Sequence, residues 1–130
     1  MNRKNKITAI IPTLNEEIHI QAAIDSVSFA DEIIVIDSFS RDKTIEITKK
    51  NKVRVLQREF DDFSSQKNYA IERATHNWIY ILDADERVTD LLRQEIIATL
   101  NEPNECVGFF VFRTFYFLGK KLNYSGWQRD

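Results

Sequence analysis

Three carboxylates, Asp83, Asp85 and Glu86, follow directly on the apolar run of "WIYILDADE" (78–86). If the chain stays extended there, Asp83 and Asp85 point to the same side with Cα atoms about 6.6 Å apart. Carboxylates that converge in this way repel one another unless a cation lies between them. Hard cations such as Mg²⁺ or Mn²⁺ take oxygen ligands and commonly fill their remaining positions with water or a substrate's phosphates. The same spacing also suits solvated loop acids that precede a helix. Acids recur, however, in "PTLNEE" (12–17) and "DSFSRD" (37–42), each at the end of an apolar run. That recurrence favours chemistry over solvation.

Two further residues stand out by position. Asp37 closes the run "EIIVID". A carboxylate there accepts hydrogen bonds from a base or ribose edge, or else caps the turn before Ser38 and Ser40; the spacing fits both. Lys67 falls in the expected first turn of a helix, where a cation opposes the dipole, which hints at an anionic or carbonyl partner. No G-x-G-x-x-G and no G-x-x-x-x-G-K-[ST] is present, so a metal would do the charge neutralisation that a glycine-rich loop does elsewhere. His19 and His76 have no partners at metal spacing and read as surface or helix-end residues.

The elements that must position these groups are legible as apolar runs. "ITAIIP" (7–12), "EIIVID" (32–37), "VRVLQ" (53–57) and "WIYILD" (78–83) are nearly continuous and rich in β-branched residues, as expected of strands covered by helices on both faces. Between them lie helical patterns. Asn15 is placed as an N-cap, with Glu16 and Glu17 in the first turn and Ile20, Ala23, Ile24 and Val27 on one face. Ser40 is placed as the cap of a second helix reaching Lys50. Ser64 or Ser65 opens a third, with Ala70, Ile71 and Ala74 on one face. Thr89 caps a fourth, with Leu92, Ile96 and Leu100 aligned and Pro103 closing it. Strands alternating with helices imply right-handed crossovers and a mainly parallel sheet, here of order 3-2-1-4. In such a sheet the ligand site lies outside the carboxyl ends of the strands, where the three polar clusters fall. The stretch "VGFFVFRTFYFLGKKL" (107–122) breaks the pattern and reads as a longer, antiparallel strand turning at Gly119. Its aromatic residues, Phe109, Phe112 and Phe115, together with Trp127, are expected to form an exposed apolar surface, suited to self-association or a membrane face.

Composition excludes several classes. The chain has 130 residues, 43% hydrophobic and 29% charged, which is the make-up of one globular domain. Net charge is −2, and no basic stretch is interleaved with aromatics, which argues against a nucleic-acid surface. The single cysteine, Cys106, reads as a buried, inert thiol in a reducing compartment. The N-terminal "MNRKNK" does not have the form of a signal peptide. The longest apolar run, Val107 to Leu118, is interrupted by Arg113 and falls short of the ~20 residues a spanning helix needs. A cytoplasmic protein that touches the inner face of a membrane without crossing it is expected.

Taken together, "ITAIIPTLNEE", "DEIIVIDSFSRDKTIEI" and "SSQKNYAIERATHNWIYILDADE" resemble, in order and separation, the family 2 glycosyltransferases. Within that family the chain looks closest to lipopolysaccharide-core β-glucosyltransferase-like enzymes, with "FRTFYFLGKKLNYSGWQRD" resembling their following segment. The resemblance implies a Rossmann-like GT-A fold and inverting, metal-assisted transfer from a nucleotide-diphospho-sugar, UDP-linked, to an acceptor hydroxyl in cell-surface polysaccharide or lipopolysaccharide synthesis. It implies that Pro12, Thr13 and the P-x-x-N-E turn with Asn15 and Glu17 border the nucleotide. Asp37 would meet the base or ribose, and Lys67 would lie near the uracil. In the motif Asp83–Ala84–Asp85, Asp85 would hold Mg²⁺ or Mn²⁺, and Asp83 the ribose or the metal's water. No residue matches the family's catalytic base, which is expected beyond Asp130. The chain then reads as one domain, 1–130, that is the donor-binding part of a longer enzyme and lacks the acceptor half. Nucleotide binding without transfer is the alternative. A nucleotidyltransferase is a more distant one, since it usually carries a glycine-rich loop that "PTLNEE" lacks.

Overall fold

The computed structural model describes residues 5–101 together with two short strands, Gly108–Phe110 and Phe117–Lys120. The elements alternate as the apolar pattern predicts: β1 (Ile7–Thr13), α1 (Ile20–Ser26), β2 (Glu32–Asp37), α2 (Thr44–Thr48), β3 (Arg54–Gln57), α3 (Phe63–Arg73), β4 (Trp78–Ile81), α4 (Asp90–Asn101), then β5 (Gly108–Phe110) and β6 (Phe117–Lys120). The sheet order is β3-β2-β1-β4-β6-β5. The pairs β1–β2, β1–β4 and β2–β3 are parallel, while β6 runs antiparallel to β4 and to β5. The expected order 3-2-1-4 is therefore observed, with an antiparallel hairpin added at the β4 edge. Gly119 lies inside β6, opposite Ile79 and Gly108, and not at a turn.

Two cores explain why the strands read as continuous apolar runs. Alternate residues of a strand face opposite sides of the sheet. Ile7, Ala9 and Ile11 of β1, Val35 of β2 and Trp78 and Tyr80 of β4 pack on one face against Ile20, Ala23, Ile24 and Val27, and against Ile96 and Leu100 of α4. Ile10, Ile34, Ile36, Ile79 and Ile81 point to the other face and pack against Ala70, Ile71 and Ala74. Helices thus cover both faces, and a polar residue buried within β1, Thr8, donates its hydroxyl to Glu32 at 2.8 Å.

Three helix starts differ from the sequence expectation. Helix α1 begins at Ile20, behind His19. Asn15 is no cap: it adopts a left-handed backbone, φ 56°, and Glu16 and Glu17 precede the helix in a separate turn whose Glu16 carbonyl accepts the His19 and Ile20 N–H groups. Helix α2 is only Thr44–Thr48, because Ser40 is drawn back onto Asp37 and does not cap it. Helix α3 is capped by Asp62, whose carboxylate accepts the Ser65 N–H at 2.7 Å, so Ser64 and Ser65 lie in its first turn and Lys67 in its second. A carboxylate at the cap accepts a charge-assisted bond and also favours the helix dipole, which puts it ahead of serine. Thr89 does cap α4, accepting the Leu92 N–H at 3.1 Å. Cys106, Pro103, Phe112, Phe115, Trp127 and the side chain of Phe109 lie outside what is described. No helix among the described residues is long and apolar enough to cross a membrane.

Candidate functional site

The loops at the carboxyl ends of β1, β2 and β4 and the start of α3 enclose an open cleft of about 370 Å³. Its walls come from Pro12, Thr13 and Glu16 after β1, Ser38 after β2, Phe60, Phe63, Gln66 and Lys67 around α3, and Asp83, Ala84 and Asp85 after β4. Because β1 lies between β2 and β4, the cleft has two sides. One, toward β4, is acidic. The other, toward β2 and β3, is aromatic and amide-lined, with one lysine.

On the acidic side β4 ends at Ile81, and Asp83 does not continue the strand. The Asp83 carbonyl accepts the Glu86 N–H at 3.0 Å, which folds "DADE" into a tight turn. Asp83 and Asp85 are therefore presented by a turn, and the regular strand spacing does not apply. Both are exposed, while Ala84 between them is buried. Among the described residues neither carboxylate accepts a hydrogen bond or forms an ion pair. Their charge is felt nearby. Burial, then Asp85, push the Glu16 carboxyl above its usual range. Burial, then Asp83 and Asp85, do the same to Glu86. The Arg87 guanidinium donates to the carbonyls of Ala84 at 2.7 Å and Glu86 at 2.6 Å, which braces the turn against that repulsion.

The loops after β1 and β2 are built in the opposite manner. Asp37 is fully buried beneath the cleft. Its carboxylate accepts from the Thr13 hydroxyl at 3.0 Å, the Ser40 N–H at 2.8 Å, the Ser40 hydroxyl and the Gln57 amide at 3.4 Å. Asn15 accepts the Arg41 N–H at 2.8 Å and gives its own N–H to the Ser40 hydroxyl at 2.7 Å. Glu17 accepts the Lys43 N–H at 2.9 Å, while its N–H goes to Asp42 at 3.1 Å. These residues stitch one loop to the other. Of the residues singled out in the sequence, the fold brings Pro12, Thr13, Lys67, Asp83, Ala84 and Asp85 to the cleft wall; Asn15, Glu17 and Asp37 are not on it.

The cleft also uses residues that sequence reasoning passed over. Phe60 and Phe63 meet edge to face at 5.0 Å, and both remain exposed at its lip. The Lys67 Nζ lies 6.0 Å from the Phe63 ring centre, at the outer limit of a cation–π contact. Gln66 is buried, donating to the Ser38 hydroxyl at 2.9 Å and accepting from the Arg58 guanidinium at 3.2 Å. The only sequence signal for them was two phenylalanines among acids just before a helix.

No three His, Cys, Asp or Glu side chains among the described residues converge into a metal cage. The donor set on the acidic side, exposed oxygen ligands crowded by further carboxylates, fits a hard cation that completes its shell with water and phosphate.

The chain matches the family model for glycosyl transferase family 2 over residues 8–128, and so belongs to that family. It is 31% identical over 121 residues to the lipopolysaccharide core biosynthesis glycosyltransferase LpsC of Rhizobium meliloti, covering 89% of this chain and 45% of LpsC. It is 40% identical over 92 residues to an uncharacterized glycosyltransferase of Rickettsia bellii, covering 70% of this chain and 31% of that protein. The chain therefore spans less than half the length of these relatives. Among solved structures it superposes on the mannosyltransferase PcManGT of Pyrobaculum calidifontis, in complex with GDP-Man and Mn²⁺, with a TM-score of 0.75 at 20% identity, over 92% of this chain and 45% of the other. Glucosyl-3-phosphoglycerate synthase of Mycobacterium tuberculosis, in complex with Mn²⁺, UDP and phosphoglyceric acid, gives 0.71 at 18% identity, over 90% and 56%. At such identities these likenesses establish the fold: the parallel sheet of GT-A glycosyltransferases.

Proposed function

We propose that this chain is the donor-binding part of a glycosyltransferase that takes a sugar from a nucleotide-diphospho-sugar, UDP-linked, to an acceptor hydroxyl with inversion. The observation that carries the reading is the pair Asp83 and Asp85, exposed on the cleft wall with carboxylates that no described residue engages. Asp85 would hold a divalent ion, Mg²⁺ or Mn²⁺, with Asp83 on the ribose or on the ion's water shell. When bound, the ion supplies charge neutralisation for the departing nucleoside diphosphate. Lys67, across the cleft, presents a cation to the nucleotide near its base, and Pro12 and Thr13 shape the floor. Asp37, buried, and Asn15 and Glu17, exposed, hold the two loops in register. The likeness to LpsC supports an acceptor in lipopolysaccharide or another cell-surface polysaccharide. Mn²⁺ with GDP-Man or UDP in the structural neighbours supports the metal and the donor class.

The test is a calorimetric titration of UDP with and without Mn²⁺, on the wild type and on Asp85→Asn. UDP and Mn²⁺ should each tighten the other's binding by the same factor, about 10- to 100-fold, and Asp85→Asn should remove that coupling. Equal UDP affinity in all four experiments would sink the reading. The shared length with LpsC favours a second reading, nucleotide binding without transfer by these 130 residues. In that case sugar transfer from UDP-sugar donors would be undetectable although the metal coupling is present.

A further inference from the structure

The acids that follow β4 stand on a turn that α1 helps to hold. Backbone groups fix its two ends: the Leu82 N–H donates to the Ile10 carbonyl at 3.0 Å, and the Val88 N–H to the Ser26 hydroxyl at 3.3 Å. Val88 is itself buried in the core. Between these ends lie Asp83, Asp85 and Glu86, whose like charges work to spread the turn. The half-buried Arg87 opposes them. Its Nη1 donates to the carbonyls of both Ala84 and Glu86, at 2.7 and 2.6 Å. Its Nη2 lies 3.3 Å from Nδ1 of His19, at the start of α1 and 68 residues away along the chain. A guanidinium only donates. Nδ1 must therefore carry the lone pair, so the imidazole is neutral, with its proton on Nε2. Chemistry thus settles a tautomer that the ring's shape leaves open.

We infer that Arg87 is a positioning residue for the turn that presents Asp83 and Asp85 to a divalent ion and a diphosphate, and that the neutral imidazole of His19 aims it. This inference rests on the donor-binding reading given above. A guanidinium is planar, with its donors in a rigid fork, so a contact at one nitrogen sets where the other points. With Nη2 on His19, Nη1 reaches the two carbonyls that flank Asp85 in the chain. Holding both restrains the backbone from which Asp85 projects. Protonation of His19 would put a second donor where Arg87 needs an acceptor, and set two cations face to face. The charged groups about the ring are Arg87, from the turn after β4, and Glu16, three residues before it in its own segment. Burial and then Asp85 raise the Glu16 carboxyl, His19 draws it down, and Asp42 and Asp83 add to the rise. An imidazolium would therefore be drawn toward Glu16 and away from Arg87.

Five proteins test it: wild type, Arg87→Ala, His19→Ala, the double variant of these two, and His19→Asn. Each is titrated calorimetrically with UDP, with and without Mn²⁺, and the readout is the factor by which Mn²⁺ tightens UDP. Arg87→Ala should lower that factor about 10-fold, as is common for groups that orient a metal's ligands, and leave UDP affinity without Mn²⁺ unchanged. His19→Ala should lower it about 3-fold, the size of one hydrogen bond. The double variant should lose no more than Arg87→Ala alone, because His19 acts through Arg87. His19→Asn keeps an acceptor close to the Nδ1 position without a titrating ring, and should restore the wild-type factor at about pH 7.5, where a free imidazole is neutral. Between about pH 7.5 and about pH 5.5, the wild type should lose about 3-fold more of the factor than His19→Asn does. Titration of UDP itself is common to both and cancels. Since His19→Asn leaves Arg87 in place, this comparison holds even where Arg87→Ala does not fold. A role limited to holding the fold together would weaken UDP equally with and without Mn²⁺. That result, additive losses in the double variant, or identical pH profiles for wild type and His19→Asn overturns the inference while the donor-binding reading stands. If Mn²⁺ does not tighten UDP in the wild type, the donor-binding reading falls and this inference with it.

Discussion

Asp37 and the pair Asp83 and Asp85 follow the carboxyl ends of neighbouring parts of one sheet, yet they are built to opposite ends. Asp37 is buried and meets four donors. Asp83 and Asp85 are exposed and meet none among the described residues. A buried charge is tolerated only when its lone pairs are filled, so Asp37 must be structural wherever else it acts. Carboxylates kept bare, and close enough to add to the rise that burial imposes on the Glu16 and Glu86 carboxyls, are costly to the fold in isolation. They are the ones whose neutralisation by a ligand would be felt. The contrast separates a carboxylate that the protein uses to hold itself together from two that it leaves unmet.

The sharpest way to break the contrast is to remove each side in turn. Asp37→Ala strands the Thr13 and Ser40 hydroxyls and the Ser40 N–H beneath the cleft. It should cost about 3 kcal/mol in urea unfolding. A loss under about 1 kcal/mol would mean that the network is not structural.

Glu32 extends the comparison to a second satisfied carboxylate. Burial raises its pKa, but the Thr75 N–H, Arg54, and the Thr8 and Thr75 hydroxyls outweigh that and hold it at about 2. The folded value lies below the ordinary one of 4.5, so the stability it gives is complete above pH ~5 and is lost as pH falls from there toward 2. The contribution is at most about 3 kcal/mol, and nearer 2 once screening at Arg54, whose side chain is 44% exposed, is allowed for. Glu32→Gln should therefore lower stability at pH 7 by about 2 kcal/mol and flatten the acid limb of a stability–pH curve. A parallel downward shift at every pH would contradict it.

On the unmet side the effects on stability are small and reversed in sign. Asp85→Asn should change unfolding free energy by no more than about 0.5 kcal/mol without metal, toward greater stability. A loss above 1 kcal/mol would show a hidden structural role. Glu16→Gln should have the smallest effect, a gain of a few tenths of a kcal/mol at pH 7 that fades as pH falls. A raised folded pKa means that Glu16 subtracts stability when ionised and returns it on protonation. A gain that persisted unchanged at pH 4 would rule out the burial and repulsion of an ionised Glu16 as its cause.

Much of this was readable in the residues. Continuous β-branched runs at 7–12, 32–37 and 78–83 determined the strands, since a sheet covered on both faces admits no alternation. The helices between them determined the parallel order, and the acids at strand ends marked the cleft. Helix starts were less legible. A cap depends on which side chain wins the first free N–H groups, and Ser40 is taken by Asp37, a residue that no local pattern ties to it. Tertiary structure alone decided which carboxylates are spent and which are bare. Asp37 and Asp83 look alike in sequence, each closing an apolar run. One is buried because Thr13, 24 residues away, and Gln57, 20 residues away, close over it. The other is exposed because the Asp83–Glu86 hydrogen bond turns the chain out of the strand. The bond that the Ser38 hydroxyl oxygen accepts likewise comes from Gln66, 28 residues along the chain, which is itself held by Arg58. Hydrogen-bond partners at such separations meet only in the folded sheet, and so no spacing rule could reveal them.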